Sequence, residues 1–171
     1  MTTTYRRTIS AGLAAVVVAG LSIPAERAEA EATSADRAAI TAVVEQFRTA
    51  IVDKNADRFF STLYDRKTAW IGSLGQSSWD RARAAKPDAS REFTSDPASF
   101  INWVTSSDFP IEERFKPVAI TNDDAVATVH FEYGFYVKND LQNTGLETWS
   151  LAKTASGWKI TSIVYSVNNT H

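Results

Sequence analysis

The run AVATVHFEYGFYV at Ala125–Val137, followed by GLETWSLAK at Gly145–Lys153 and WKITSIVYSVN at Trp158–Asn168, decides how this chain reads. In the first run Ala127, Val129, Phe131, Tyr133 and Phe135 occupy the odd positions, with Thr128, His130 and Glu132 between them. Apolar alternation with a period of two marks a strand buried on one face only. Tight turn signals, Lys138-Asn139-Asp140 among them, separate the runs, so the three strands are expected to be antiparallel neighbours. Carrying the alternation forward puts Trp149 and Leu151 on the inner face, and Glu147 with them. In the last run Trp158, Ile160 and Val164, with Ser162 and Ser166, form the corresponding inner set. Glu147 is thereby the one carboxylate of this sheet expected to point inside, provided that the Lys138-Asn139-Asp140 turn introduces no one-residue slip.

Upstream, the period changes. Ser34–Lys54 carries Ile40, Val43, Val44, Phe47, Ile51 and Val52 at spacings of three and four, which predicts an amphipathic helix capped by Ser34 and ending at Lys54-Asn55. A second helix is predicted over Asp57–Leu63, with Asp57 as its cap. Thr68–Ile71 reads as a short strand stopped by Gly72-Ser73-Leu74-Gly75. Ser78–Lys86 reads as a charge-rich surface helix with only Trp79 to bury. Asp96-Pro97 is a helix start, a cap followed by proline at the first helical position, with Phe100, Ile101 and Val104 as the inward stripe. Ile111–Ile120 then opens the long sheet.

Several of these stretches resemble the NTF2-like, or SnoaL-like, superfamily. The resemblance is carried by Val43-Val44-Glu45-Gln46-Phe47, Asn55-Ala56-Asp57-Arg58-Phe59-Phe60, Leu63-Tyr64, Ala125-Val126-Ala127-Thr128-Val129, Glu147-Thr148-Trp149 and Gly157-Trp158-Lys159-Ile160. It implies an α+β fold, a cone in which N-terminal helices pack on a strongly curved antiparallel sheet, spanning residues 34–168. It also implies a cavity between helices and sheet, with the irregular middle of the chain closing over its mouth and Trp79 and Trp103 on that lid. The family's known catalytic sets do not carry over. Where its steroid isomerases place a tyrosine on the first helix this chain has Phe47, which has no hydroxyl, and Trp70-Ile71-Gly72 stands where their aspartate follows the first strand. The dehydratase pair of histidines and the epoxide hydrolase Asp-Arg-Asp set have no counterpart.

Residues 1–30 read as a leader. Arg6-Arg7 precede an apolar run, Ile9–Ile23, of roughly 15 residues, too short to span a bilayer, and Ala28-Glu29-Ala30 is a small-residue cleavage site. Cleavage is expected after Ala30, or after Ala32 at the overlapping Ala30-Glu31-Ala32, which makes the chain an exported, periplasmic or secreted protein with no membrane association once processed. The general secretory and twin-arginine routes both remain open. Zero cysteines exclude a disulfide framework, a thiolate nucleophile and a cysteine zinc site. Removing the leader takes away Arg6, Arg7, Arg27, Glu26 and Glu29 and moves the formal charge from −2 to −3, which gives no electrostatic case for nucleic acid. Two histidines, one of them the terminal His171, give no metal-ligand spacing, and no cofactor motif is present.

The candidate site therefore rests on Glu147, as acid or base, and on Phe47, Trp70, Trp103, Phe131, Tyr133 and Trp149 as a ligand-binding wall. A carboxyl group desolvated beside Phe131, Tyr133 and Trp149 has its ionised form disfavoured, which suits proton transfer near neutral pH. Pairing of Glu147 with a cation such as Arg114 or Arg48 is the structural alternative. The expected function is binding of a small, largely apolar molecule whose identity the sequence does not give. The alternatives are an isomerase or lyase using Glu147 and a homodimeric partner-docking module. The homodimer is expected through the outer sheet face around Thr128, His130 and Glu132, following the habit of the family.

Overall fold

The computed structural model describes residues 25–116 and 118–171, so the expected leader lies, through Pro24, outside the described residues. Helix α1 spans Ala25–Val52. Ser34 is not its cap but lies inside it, because the alanine- and glutamate-rich stretch before Ser34 consists of strong helix formers that carry the helix past a capable cap. Its apolar stripe, Ile40, Val44, Phe47 and Ile51, is buried. Lys54 ends it in the left-handed region, at φ 54°. Helix α2, Ala56–Thr62, is capped by Asn55, whose Oδ1 accepts from the Arg58 N–H at 2.9 Å, so Asp57 lies in the first turn rather than at the cap.

Strand β1, Ala69–Leu74, runs through Gly72 rather than stopping there. A side chain on Gly72 would strike the Phe93 ring, so the glycine is what lets that ring pack on β1. Helix α3, Gln76–Ala85, buries Ser78, which accepts from the Asn169 N–H, while Trp79 is half-buried between the guanidinium groups of Arg83 and Arg91. Strand β2, Glu92–Thr94, leads to helix α4, Pro97–Ser106, where Asp96 caps the N–H groups of Ala98 and Ser99 as expected. The single run expected over Ile111–Ile120 is two strands, β3, Ile111–Phe115, and β4, Ala119–Asn122. Pro117 lies in the break, outside the described residues, and proline has no N–H to give a ladder.

Strands β5, Val126–Val137, β6, Asp140–Thr154, and β7, Gly157–Asn169, form the long meander. Lys138 and Asn139 join β5 to β6 with φ of 54° and 69°, a tight turn of the type that matches the twist of a hairpin. The sheet order is β2-β1-β7-β6-β5-β3, with β4 also along the free edge of β5. The expected antiparallel sheet is in fact mixed, because β1 lies parallel to β7. These two strands are separated by nearly half of the chain, so no hairpin constrains their direction.

Two bulges shape the register. Gln142 is the extra residue opposite the Phe135/Tyr136 step, close to the turn where a slip was considered, but it leaves Glu147 on the inner face. Thr161 is the extra residue on β7 opposite the Ser150/Leu151 step. It reverses the parity of the rest of β7, so Ile163 and Val167 are buried, Tyr165 turns inward, and Val164, expected inside, is 51% exposed. The inner face and the stripe of α1 make one core, with Phe47 against Trp149 and Phe59 at centroid distances of 4.8 and 5.0 Å.

Gly145 lies opposite Tyr133 in the ladder, and a side chain there would run into the Ser166 carbonyl and the Tyr133 ring. Gly145→Ala is therefore expected to force β6 and β7 apart at a cost of about 2 kcal/mol. Denaturant unfolding measures it, and a variant as stable as the parent would show that the two strands give way freely.

Candidate functional site

Three neighbouring rows of the inner face build the site. Phe131, Glu147 and Tyr165 are in register across β5, β6 and β7, and Tyr133 lies opposite Gly145 in the next row. Beyond these, Glu113 of β3 pairs with Phe135 and Phe135 with Asn143. Because the sheet is curved, the side chains of Glu113 and Glu147 meet. Both are buried, at 5% and 2% exposure, and their carboxyl groups are hydrogen-bonded to each other. Glu147 also accepts from the Trp149 indole N–H at 2.5 Å.

Glu147 thus does point inside, but not alone and not against a cation. Arg114 is paired with Glu112 at 2.8 Å and Arg48 with Glu45 at 2.6 Å, both at the surface. Two carboxyl groups in contact cannot both ionise in a desolvated setting. Burial raises the affinity of Glu113 for its proton far above the ordinary carboxyl range, and the charge of Glu147 and their shared hydrogen bond raise it further. Burial likewise lifts Glu147, to about 7, while the donors Trp149 and Glu113 pull against that rise. The physical picture is a pair that gives up the first of its two protons near pH 7 and keeps the other on Glu113, with Glu147 as the carboxylate that then accepts from it.

The pair faces a cavity of about 270 Å³ between the sheet, β2 and α4. Its walls are aromatic, supplied by Trp70, Phe93, Phe100, Tyr133, Phe135 and Tyr165, with Ser95 and Asn143 among the polar residues. The Tyr133 hydroxyl reaches Asn143 Oδ1 at 2.9 Å and the Ser166 carbonyl at 3.0 Å, and Tyr165 shares a hydrogen with Ser95 at 2.6 Å. Burial pushes both phenols above their ordinary range, so they stay neutral. The Trp70 indole nitrogen is closed off from the cavity and, among the described residues, its N–H has no partner.

Of the expected site residues, Glu147, Trp70 and Tyr133 line this cavity. Phe47, Phe131 and Trp149 do not, because they are buried in the core behind it, where packing against one another leaves them no open face. Trp103 is also outside it, 42% exposed on the outer side of α4 against Phe109 and Phe135, and Trp79 stays with its arginines on α3, so neither forms a lid. Sequence reasoning missed Glu113, which sits in IEERF among charges that read as a solvated stretch. The signal that could have found it is the alternation of Ile111, Glu113 and Phe115 on one face. His130 lies on the exposed outer face, hydrogen-bonded to Thr148 at 3.0 Å. Among the described residues no group of three or more His, Cys, Asp or Glu is placed to hold a metal ion, and no helix is long and apolar enough to cross a membrane.

No protein-family model matches the chain, and no curated protein matches it in sequence. Solved structures do match in shape. An NTF2-like protein with a cystatin-like fold from Novosphingobium aromaticivorans aligns with a TM-score of 0.62 at 10% identity, over 89% of this chain and 94% of that one. An NTF2-like superfamily protein from Salmonella enterica aligns with a TM-score of 0.55 at 17% identity, over 81% and 96%. A third, from Cytophaga hutchinsonii, gives 0.56 at 12% identity, over 77% and 98%. The chain has the NTF2-like, cystatin-like fold. At these identities the likeness concerns the fold alone.

The raised carboxyl pair sets a pH dependence of stability. In the unfolded chain both glutamates titrate near the ordinary 4.5, whereas the native pair keeps its protons to higher pH. Native protein therefore binds more protons than unfolded protein from there upward, and stability falls as pH rises through about 7. Asp36, which Lys153 and Trp158 hold below its ordinary value, acts only in acid, where stability is lost as pH drops. The melting temperature is expected to be lower at pH about 8 than at about 6, with the difference reduced but not abolished in Glu147→Gln, because burial alone still holds the proton of Glu113. Scanning calorimetry at the two pH values decides it, and a flat parent profile would contradict the pair.

Proposed function

We propose that this domain binds a small, largely apolar molecule with a polar end in the cavity between α4, β2 and the inner sheet face. One observation carries the reading, the Glu113–Glu147 pair at the wall of an otherwise aromatic cavity of about 270 Å³. Hydrophobic residues of the same volume would serve a core as well or better than a buried carboxyl pair lacking a counter-ion. A cavity of this kind, apolar with a few convergent polar groups, is the usual form of a small-molecule site. The aromatic walls supply affinity, and the carboxyl pair orients the occupant.

The carboxyl pair also favours a second reading, an isomerase or lyase type of enzyme. Glu147, poised near neutrality, would take a proton and Glu113 would present one to a developing oxyanion, with the neutral phenols of Tyr133 and Tyr165 nearby. We further infer export by way of the N-terminal leader and a homodimer formed through the outer sheet face. On that face Ile71, Leu146 and Val164 are about half exposed beside Thr148 and His130, with Glu132 opposite Leu146.

Native mass spectrometry of the protein isolated from its own host is the test. The parent is expected to carry a small-molecule adduct that Glu147→Gln loses while remaining folded, and if the adduct turns over, the variant is expected to slow it by about 10²-fold or more. A parent that is always ligand-free and a variant indistinguishable from it would overturn both readings.

A further inference from the structure

We propose that the occupant of this cavity is an organic ammonium ion, with the cation held against Glu113 and Glu147 among the aromatic walls. The proposal rests on the small-molecule reading above and narrows it to a charge class.

The first support is the sign of the cavity. Among the described residues no lysine, arginine or histidine lines it. Arg114, next to Glu113 on β3, is engaged with Glu112, and Arg48 with Glu45. A carboxyl pair carrying a negative charge in such a place repels anions, and a cationic ligand supplies the counter-ion that the fold omits. The second support is the wall itself. Trp70 and Phe100 have ring centroids 5.0 Å apart, Phe93 and Tyr165 5.9 Å, Phe100 and Phe135 6.2 Å, so the rings form a continuous lining. Aromatic faces attract a cation most where water is excluded, and groups of such rings are a recurrent way of holding quaternary ammonium ions.

The cation also changes the proton balance. Facing the pair are Tyr133 from β5 and Tyr165 from β7, both kept neutral by burial, while β1, β2 and α4 present Trp70, Phe93, Ser95 and Phe100, none of them charged. On the α1 side Phe47 and Ile51 are buried, and the Glu45–Arg48 pair is at the surface. The response near neutrality therefore belongs to the carboxyl pair. A bound cation favours its ionised form, so binding releases protons and strengthens as pH rises.

The test uses the ligand-free domain and matched probes by titration calorimetry, choline against 3,3-dimethylbutan-1-ol and benzyltrimethylammonium against neopentylbenzene. Each pair has the same shape and differs in charge. At least one cation is expected to bind with Kd below about 10 mM and about tenfold or more tighter than its isostere. Its affinity is expected to rise about tenfold from pH about 6 to about 8, with proton release. Glu147→Gln is expected to remove the preference for charge, and the wild-type comparison stands whether or not that variant folds. Isosteres that bind as well as the cations, or tighter at low pH, would overturn the ammonium proposal while leaving the small-molecule reading intact. Binding of none of the probes would count against both.

Discussion

A carboxyl group that is buried must be paired, protonated or both, and this domain buries two in contact with each other and pairs neither with a cation. Everything else around the cavity follows from accommodating them. The Trp149 indole donates to Glu147, Glu113 keeps a proton, and the phenols of Tyr133 and Tyr165 satisfy one another's neighbourhood through Asn143, Ser166 and Ser95. Such a pair is an acid, a base and a negative charge at once, depending on what lies beside it.

The fold brings the pair together by curvature. Glu113 belongs to the edge strand β3 and Glu147 to β6, with β5 between them. On a flat sheet they would be too far apart to share a hydrogen. The inner face of a bent sheet draws alternate strands together, and Gly145 contributes by leaving room for the Tyr133 ring across β6. Helix α1 closes the far side of the core through Phe47, and α4 closes the cavity through Phe100.

Much of this was legible in the sequence. Period-two alternation in β5 and β6 is strong enough to place Phe131, Tyr133, Glu147 and Trp149 on one face, and Asp96-Pro97 marks α4 without ambiguity. What escaped has physical causes. Parity fails wherever a bulge adds a residue, which is why Val164 was expected inside and Tyr165 was not expected to line the cavity. Ser34 has the chemistry of a cap but is preceded by residues that prefer to stay helical. The parallel pairing of β1 with β7 is a long-range contact that leaves no local pattern. Glu113 sits among charges, and its burial depends on a neighbour, Glu147, that is distant in sequence. Aromatic residues were found correctly as a class, but whether a ring lines a cavity or fills the core behind it depends on packing that periodicity does not encode.

The central claim is that Glu113 and Glu147 titrate as one coupled pair that loses its first proton near pH 7 and keeps the second beyond it. Carboxyl carbon chemical shifts of glutamate, followed by NMR as a function of pH with Glu147→Gln used for assignment, measure this directly. The account predicts two glutamates that titrate together, with apparent values well above all others and one proton still bound at neutrality. Titration of every glutamate between about 4 and 5 would contradict it.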